Sequence, residues 1–384
     1  MKTKKLKNLE RVGGLFLGNK AFLIALVVLM TLSLSACSIT TSTDGLQTGA
    51  SIFYSSDKGN VWRDSSLISS PSATLEKITN LDIKGFYGDP SDNLAVYAAT
   101  AEGLYYTYNV SKGWNKVGAL PNELVRSVAV SPANKCLIYV AIANRLHKSD
   151  DCARTFTQAY YDNDKTVSVT SVIIDSYNPR NLYLGTSRGE IIKSIDSGTS
   201  WRTIYRLDEP VARVVSDPQD SRLIFVATEK SKLYSFVSNT ETNPLTSEDI
   251  DRNFQVNNFR DLNSVLTDLK VGTKFKDLVS AQSDGALFLA TSEMILRSTD
   301  EGTSWESLNL IQPDGKAEVN VLAINPKDSK EIYYVTNGTF FRSSDGAVTW
   351  TTKKLPSARG GSALLVDFSN PNSVYLGTSK VVTK

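Results

Sequence analysis

Histidine is almost absent from this chain of 384 residues: His147 is the only one. A metal centre built on a histidine cluster is therefore excluded. Three cysteines, Cys37, Cys136 and Cys152, are too few for a cysteine-rich zinc module. Net charge is also scarce, and the formal value of +2 conceals an asymmetry. Six basic residues (Lys2, Lys4, Lys5, Lys7, Arg11, Lys20) and one acid, Glu10, fall within the first 36 residues. The remainder carries 36 basic against 39 acidic residues, a net of −3. A chain this close to neutral has no electrostatic footprint for nucleic acid. What is present is a hydrophobic content of 41% beside 21% charged residues, enough for a buried core and unlike a disordered chain. The length allows one large domain or two ordinary ones.

Residues 1–20 are basic, and Ala21–Leu34 is an apolar run of 14 residues. That matches the core of a signal peptide and falls short of the ~20 residues a spanning helix needs. Leu34-Ser35-Ala36-Cys37 follows at once. This tetrapeptide resembles the lipobox of bacterial lipoproteins. The resemblance implies removal of residues 1–36, lipidation of Cys37 with palmitate-type chains, and a membrane partner reached through that lipid. The location implied is extracytoplasmic, on the cell membrane or the outer membrane of a bacterium. An uncleaved signal anchor is the alternative. Residues 37–51, rich in Ser and Thr, read as a flexible tether.

Residues 52–384 are built on a repeat. The octapeptide Ser-x-Asp-x-Gly-x-x-Trp is complete at Ser55, Asp57, Gly59 and Trp62, at Ser194, Asp196, Gly198 and Trp201, and at Ser298, Asp300, Gly302 and Trp305. A fourth copy, Ser343, Asp345 and Trp350, has Ala347 in the glycine slot. Two decayed copies keep the spacing: Ser149-Asp150-Asp151 running to Phe156, and Thr107 to Trp114 with Asn109 for Asp. An aspartate can accept backbone N–H groups two residues on and close a turn, glycine supplies a positive φ, and tryptophan covers the hairpin with one N–H to spare. β-Forming residues precede each copy, so each octapeptide is read as the turn of a β-hairpin. Every copy has the same local role, which leaves none for acid–base catalysis.

The pattern resembles the Asp-box, or BNR, repeat of sialidases, sortilin-type receptors and photosystem II assembly-factor-like propellers. Those families share the repeat and not the activity, so the resemblance speaks to fold. A second element precedes each box: a polar turn, often with proline, then an apolar strand ending in a small residue, as in Asn178-Pro179 with Leu182-Tyr183-Leu184-Gly185. Seven such units of about 48 residues predict an all-β fold, a single seven-bladed propeller of four-stranded antiparallel blades. The first element of the repeat lacks a partner strand and the last lacks a box. Ile52–Arg63 is therefore expected to supply the outer strands of the last blade and remove the open edges. Val381–Lys384 aligns with the strand before a box and duplicates it.

Trp201 and Trp305 are 104 residues apart, and the surplus lies in residues 238–277. The expectation there is a polar loop over 238–249, then a helix carrying Phe259, Leu262, Val265, Leu266 and Leu269 after Asn257-Asn258 as a cap. The insertion is either functional or neutral decoration. Cys136 and Cys152 are centred on Asn144, where a hairpin should turn, so a cross-strand disulfide is expected, with two separate buried thiols as the alternative. His147 occupies the slot that holds Ile192, Leu296 and Phe341 elsewhere and reads as a half-buried strand residue.

Two function classes compete. The resemblance to sialidases implies a Tyr–Glu pair, an acid–base Asp and three arginines clamping a carboxylate, but the Arg-Ile-Pro motif of that family is missing. The xyloglucanase type places its site between two propellers, and one ring supplies half of that cleft. The preferred reading is a non-catalytic, surface-anchored scaffold that presents propeller loops to a protein partner, with no cofactor and no metal. Surface glycan binding is a third option.

Overall fold

The computed structural model describes residues 49–69, 76–239, 247–311 and 318–381. These residues form seven four-stranded antiparallel sheets. Six blades read inside to outside in chain order. Blade 1 is Ile83–Asp89, Asp92–Thr100, Gly103–Thr107 and Asn115–Lys116. Blades 2 to 6 begin at the inner strands Val125–Ser131, Val169–Ile174, Val211–Ser216, Phe275–Ser280 and Val321–Asn325. Successive inner strands touch, and Gly360–Val366 of blade 7 packs on Ile83–Asp89 of blade 1, which closes the circle.

The apolar runs are the second strands. Leu182–Thr186, Leu223–Thr228 and Leu287–Thr291 are buried at every position, because each blade is covered on both faces by its neighbours. The core is therefore not one mass. It is divided into seven apolar clusters, each mixing residues of two adjacent blades. The small residue near the end of each second strand also has a cause. A Cβ on Gly185 would lie 2.4 Å from Val211 Cγ1, and one on Gly377 would lie 2.6 Å from Ile83 Cγ2. The inner strand of the next blade passes too close for a larger side chain.

Blade 7 is completed by the start of the chain. Ile52–Ser55 pairs with Val374–Ser379 in the register Ile52↔Gly377, Phe53↔Leu376, Tyr54↔Tyr375 and Ser55↔Val374, and Arg63–Asp64 is its outer strand. Beyond the ladder, Trp62 meets Phe340 of blade 6 edge-on at 5.2 Å. Lys58 reaches the buried Glu331 of blade 6 at 2.9 Å, a carboxylate that Arg342 and Asn325 also hold. The ring also extends slightly upstream of the expected start. Ala50 and Ser51, read above as tether, are buried, and Ala50 bridges to Thr79.

Two expectations need correction. Phe259 is not on a helix: Val256–Asp261 is the outer strand of blade 4, with Phe259 stacked on Tyr205 at 4.2 Å. Helix α1, Ser247–Asn253, precedes that strand and α2, Asn263–Asp268, follows it, so Asn257-Asn258 caps neither. The apolar spacing taken for one helix is a strand residue followed by a short helix whose Leu266 is buried. Secondly, Val381 lies outside any strand, and residues 382–384 are outside the described residues.

Phe53 is 1% exposed and packs at the closure between blades 6 and 7. Phe53→Ala is expected to lower the stability of the ring by about 3–5 kcal/mol, as for other buried phenylalanines. Val61→Ala, at an exposed box position, should stay within about 0.5 kcal/mol. Urea midpoints of the two variants decide this.

Candidate functional site

Five octapeptides adopt one geometry. The fourth and fifth residues both have positive φ: Lys58 and Gly59, Cys152 and Ala153, Ser197 and Gly198, Glu301 and Gly302, Gly346 and Ala347. The serine hydroxyl is the hub of each turn. It donates to the aspartate Oδ1 at 2.7–2.8 Å and accepts the N–H of the fifth residue at 2.8–3.0 Å. The same Oδ1 accepts the N–H of the seventh residue at 2.8–2.9 Å. Where that residue has a hydroxyl (Thr155, Ser200, Ser304, Thr349), Oδ2 accepts it at 2.5–2.7 Å. The carboxylate is thus spent on the turn.

These bonds fix its charge. The Thr155 hydroxyl and N–H hold Asp151 at about 2, and those of Thr349 hold Asp345 at about 2. Asp300 is lowered by Ser304 in the same way. In Asp57 and Asp196 burial pushes the carboxyl up, but the hydrogen bonds outweigh it and the net shift is down. Groups this acidic stay ionised at neutral pH and serve poorly as proton donors.

The aromatic eighth residue fastens one blade to the preceding one. Trp201 donates to Ala159 O at 2.8 Å and Trp350 to Asn309 O at 2.7 Å. Trp305 is an exception: it donates within its own turn, to Gly302 O at 3.1 Å. The sixth copy differs. Asn109 caps a 3-10 turn over Val110–Lys112, so Thr107–Trp114 keeps the spacing but not the box turn. Trp114 is fully buried and still donates to blade 7, at Ser65 O.

The turns between first and second strands and the boxes emerge on one face of the ring, the box face. On that face a central cavity of about 530 Å³ opens between Pro90, Gln282, Pro326 and Phe368. Its walls are largely apolar, and one ion pair lies toward its far end: Arg213 Nη2 to Asp277 Oδ1, 2.9 Å. Both residues occupy the position that follows a bulge in the inner strand. The matching positions elsewhere hold small residues, Gly85, Ser127, Ser171 and Ala363. Burial raises the Asp277 carboxyl and the Arg213 guanidinium only partly offsets it. Sequence reasoning missed this pair. Lining up the inner strands by their bulges would have exposed it.

On the opposite face Glu190 accepts from Arg188 at 2.8 Å and from Arg206, while Arg188 also holds Asp162 at 2.7 Å. Tyr160 lies beside Asp162, its phenol pushed up to about 12 by burial. This is one tyrosine–carboxylate–arginine constellation; Tyr333 with Glu331 and Arg342 in blade 6 is another. Two arginines converge at Glu190, and both are committed to carboxylates. Among the described residues no group of three or more His, Cys, Asp or Glu could hold a metal ion.

Cys37 and the tetrapeptide expected to be a lipobox lie outside the described residues. Cys136 and Cys152 are brought together with Cα atoms 3.8 Å apart, but not as opposed ladder partners. The hairpin register is Ile138↔Ser149 to Ile142↔Arg145, which turns at Ala143-Asn144 rather than on Asn144 alone. Cys152 reaches Cys136 from the left-handed turn of its box. His147 is a half-buried strand residue with its imidazole lowered by burial. Helix α1 of the insertion is pinned by Lys193, which is fully buried and donates to Ser238 Oγ at 3.0 Å and to the carbonyls of Asn239 and Asn253 at 2.5 Å. Burial pulls this ammonium down to about 8.

Fold and geometry together define a seven-bladed β-propeller. No protein-family model and no curated protein sequence matches the chain. Solved structures do. The GH74 xyloglucanase from Xanthomonas campestris is similar with a TM-score of 0.60 and 17% identity, over 78% of this chain and 51% of that one. YCF48 bound to D1 peptide has a TM-score of 0.55 and 14% identity, over 78% of this chain and 94% of that one. The extracellular domain of a putative one-component system from B. thetaiotaomicron has 0.57 and 14%, over 79% and 42%. The chain thus spans about half the length of the xyloglucanase it matches. At these identities the likeness concerns the fold, which hydrolases and a peptide-bound protein share.

Two outcomes follow from the turns. Carboxyls lowered in the folded state stabilise it above the ordinary carboxylate range near 4, and that stability is lost as pH falls toward 2. The melting temperature of Asp345→Asn should be lower at pH 7 and flatter between pH 4 and 2 than that of the unaltered chain. Intact mass after alkylation without reductant should show Cys136 and Cys152 unmodified, and after reduction should show both alkylated; alkylation of both before reduction would contradict the bond. Reduction should cost about 3 kcal/mol for a separation of 16 residues.

Proposed function

We propose that the protein is a non-catalytic binding scaffold, held by lipid on Cys37 at the extracytoplasmic side of a bacterial membrane, whose box face receives a protein partner. One observation carries this reading. Nine large apolar side chains are exposed among the described residues, and all but Tyr161 and Ile311 project from the box face. Apolar groups gathered on one side of a soluble ring supply a docking surface, and the central cavity opens among them. The commitment of every box carboxylate to its own turn supports a binding role over hydrolysis. So does the likeness to YCF48, which was solved with a bound peptide and matches over nearly its whole length.

Ile52–Ser55 starts on the face away from the boxes and runs toward them.

Site-specific photocrosslinking tests the reading. A photoreactive residue at Tyr177 or Phe368 of the membrane-bound chain should yield protein adducts, and one at Tyr161 or Ile311 should not. Adducts confined to the far face, or turnover of xyloglucan or a sialoside by the purified chain, would overturn it.

A further inference from the structure

Between blades 1 and 2 a groove of about 660 Å³ runs from the rim of the box face down the flank of the ring. It lies between Asn115–Lys116, the outer strand of blade 1, with the residues that follow it, and the box turn of blade 2.

Its chemistry is one-sided. Lys116, Lys135 and Arg154 line it, against a single acid, Asp92. Asp92 is taken by Lys135 at 3.1 Å. Lys116 and Arg154 are exposed, and neither makes an ion pair among the described residues. Lys116 sits 5.7 Å from the centre of the Tyr105 ring. Beside the cations, Tyr108 is 40% exposed with its ring edge-on to Tyr106 at 5.4 Å, and Leu94 is 60% exposed. In a chain whose body carries a net charge of −3, this groove concentrates unspent positive charge next to an aromatic wall.

We propose that the groove is a second binding site, one that takes an acidic peptide segment bearing an aromatic or aliphatic residue. The carboxylates would meet Lys116 and Arg154 as charge-assisted hydrogen bonds, and the apolar residue would lie against Tyr108 and Leu94. A peptide is favoured over a flat anionic surface because the cations line a recess with apolar walls. The inference shares with the box-face reading the premise that the partner is a protein and the residues Leu94 and Tyr108 at the groove's rim, and it depends on neither Cys37 nor the central cavity.

The test is fluorescence anisotropy of a labelled peptide, Asp-Glu-Tyr-Glu-Asp-Leu, with the full chain in neutral detergent, and of its counterpart with lysine at every acidic position. The acidic peptide should bind, more weakly as salt rises from about 50 to about 300 mM, and the basic one should not. Lys116→Glu with Arg154→Glu should weaken binding by roughly tenfold or more. Ala119→Trp, which adds bulk to the groove lining without changing charge, should do the same while leaving the circular dichroism spectrum intact. Ile311→Asp, exposed and away from the box face, should leave the affinity unchanged. Equal binding of both peptides, indifference to the groove variants, or binding only to phosphatidylglycerol vesicles would overturn the proposal. Box-face crosslinks that persist alongside a failed peptide would sink this site and leave the scaffold reading standing.

Discussion

Seven sheets arranged in a circle are stable only if the circle has no free edge, and one strand of four residues meets that constraint. Ile52–Ser55 covers the edge of Val374–Ser379, joining residues more than 300 positions apart in sequence. Each apolar cluster needs a blade on either side, and this strand completes the wedge between blades 6 and 7 with Phe53, beside Leu364, Val366, Val374 and Leu376 of the last two strands. The sequence places extra fastenings there. Lys58 reaches Glu331, Trp62 lies against Phe340, and Tyr54 packs on Tyr375 at 5.2 Å. An ion pair with Glu331 nearly buried is costly to break from one side only, which favours a closed over an open last blade.

Around that closure the boxes do repetitive work. Two successive residues in the left-handed region would ordinarily demand glycine. Here Lys58, Ser197 and Glu301 hold the first of those positions, and in blade 2 Cys152 and Ala153 hold both. The serine hydroxyl and the aspartate carboxylate repay that strain with four to six hydrogen bonds per turn, and this accounts for tolerance of alanine in the glycine slot wherever Ser and Asp persist. In blade 1, where Thr107 and Asn109 replace them, the turn changes type.

The blade count, the turns and the closure were legible because they recur: a period of about 48 residues averages out local ambiguity. What does not recur was misread. The helix expected at Phe259 combined a strand and a helix whose apolar residues happened to follow one spacing, and only the aromatic stack on Tyr205 shows why the strand wins. The cysteine pair was foreseen through a hairpin centre one half-residue from the real one, and the box turn supplies the remaining reach. Arg213 and Asp277 lie in blades whose neighbours carry small residues at the matching position, so the pair is a departure from a pattern rather than a pattern itself. Lys193 precedes its box serine as Lys148, Arg297 and Arg342 precede theirs, and only its burial under helix α1 sets it apart. The groove lined by Lys116, Lys135 and Arg154 is of the same kind, since no element of the repeat encodes it.

Hydrogen–deuterium exchange on the full chain tests the closed ring most directly. The account predicts that the amides of Ile52–Ser55 and Val374–Ser379 are protected as strongly as those of Leu182–Thr186 and Leu287–Thr291 in the middle of the chain. Rapid exchange of Ile52–Ser55, with Val374–Ser379 behaving as an open edge, would contradict it.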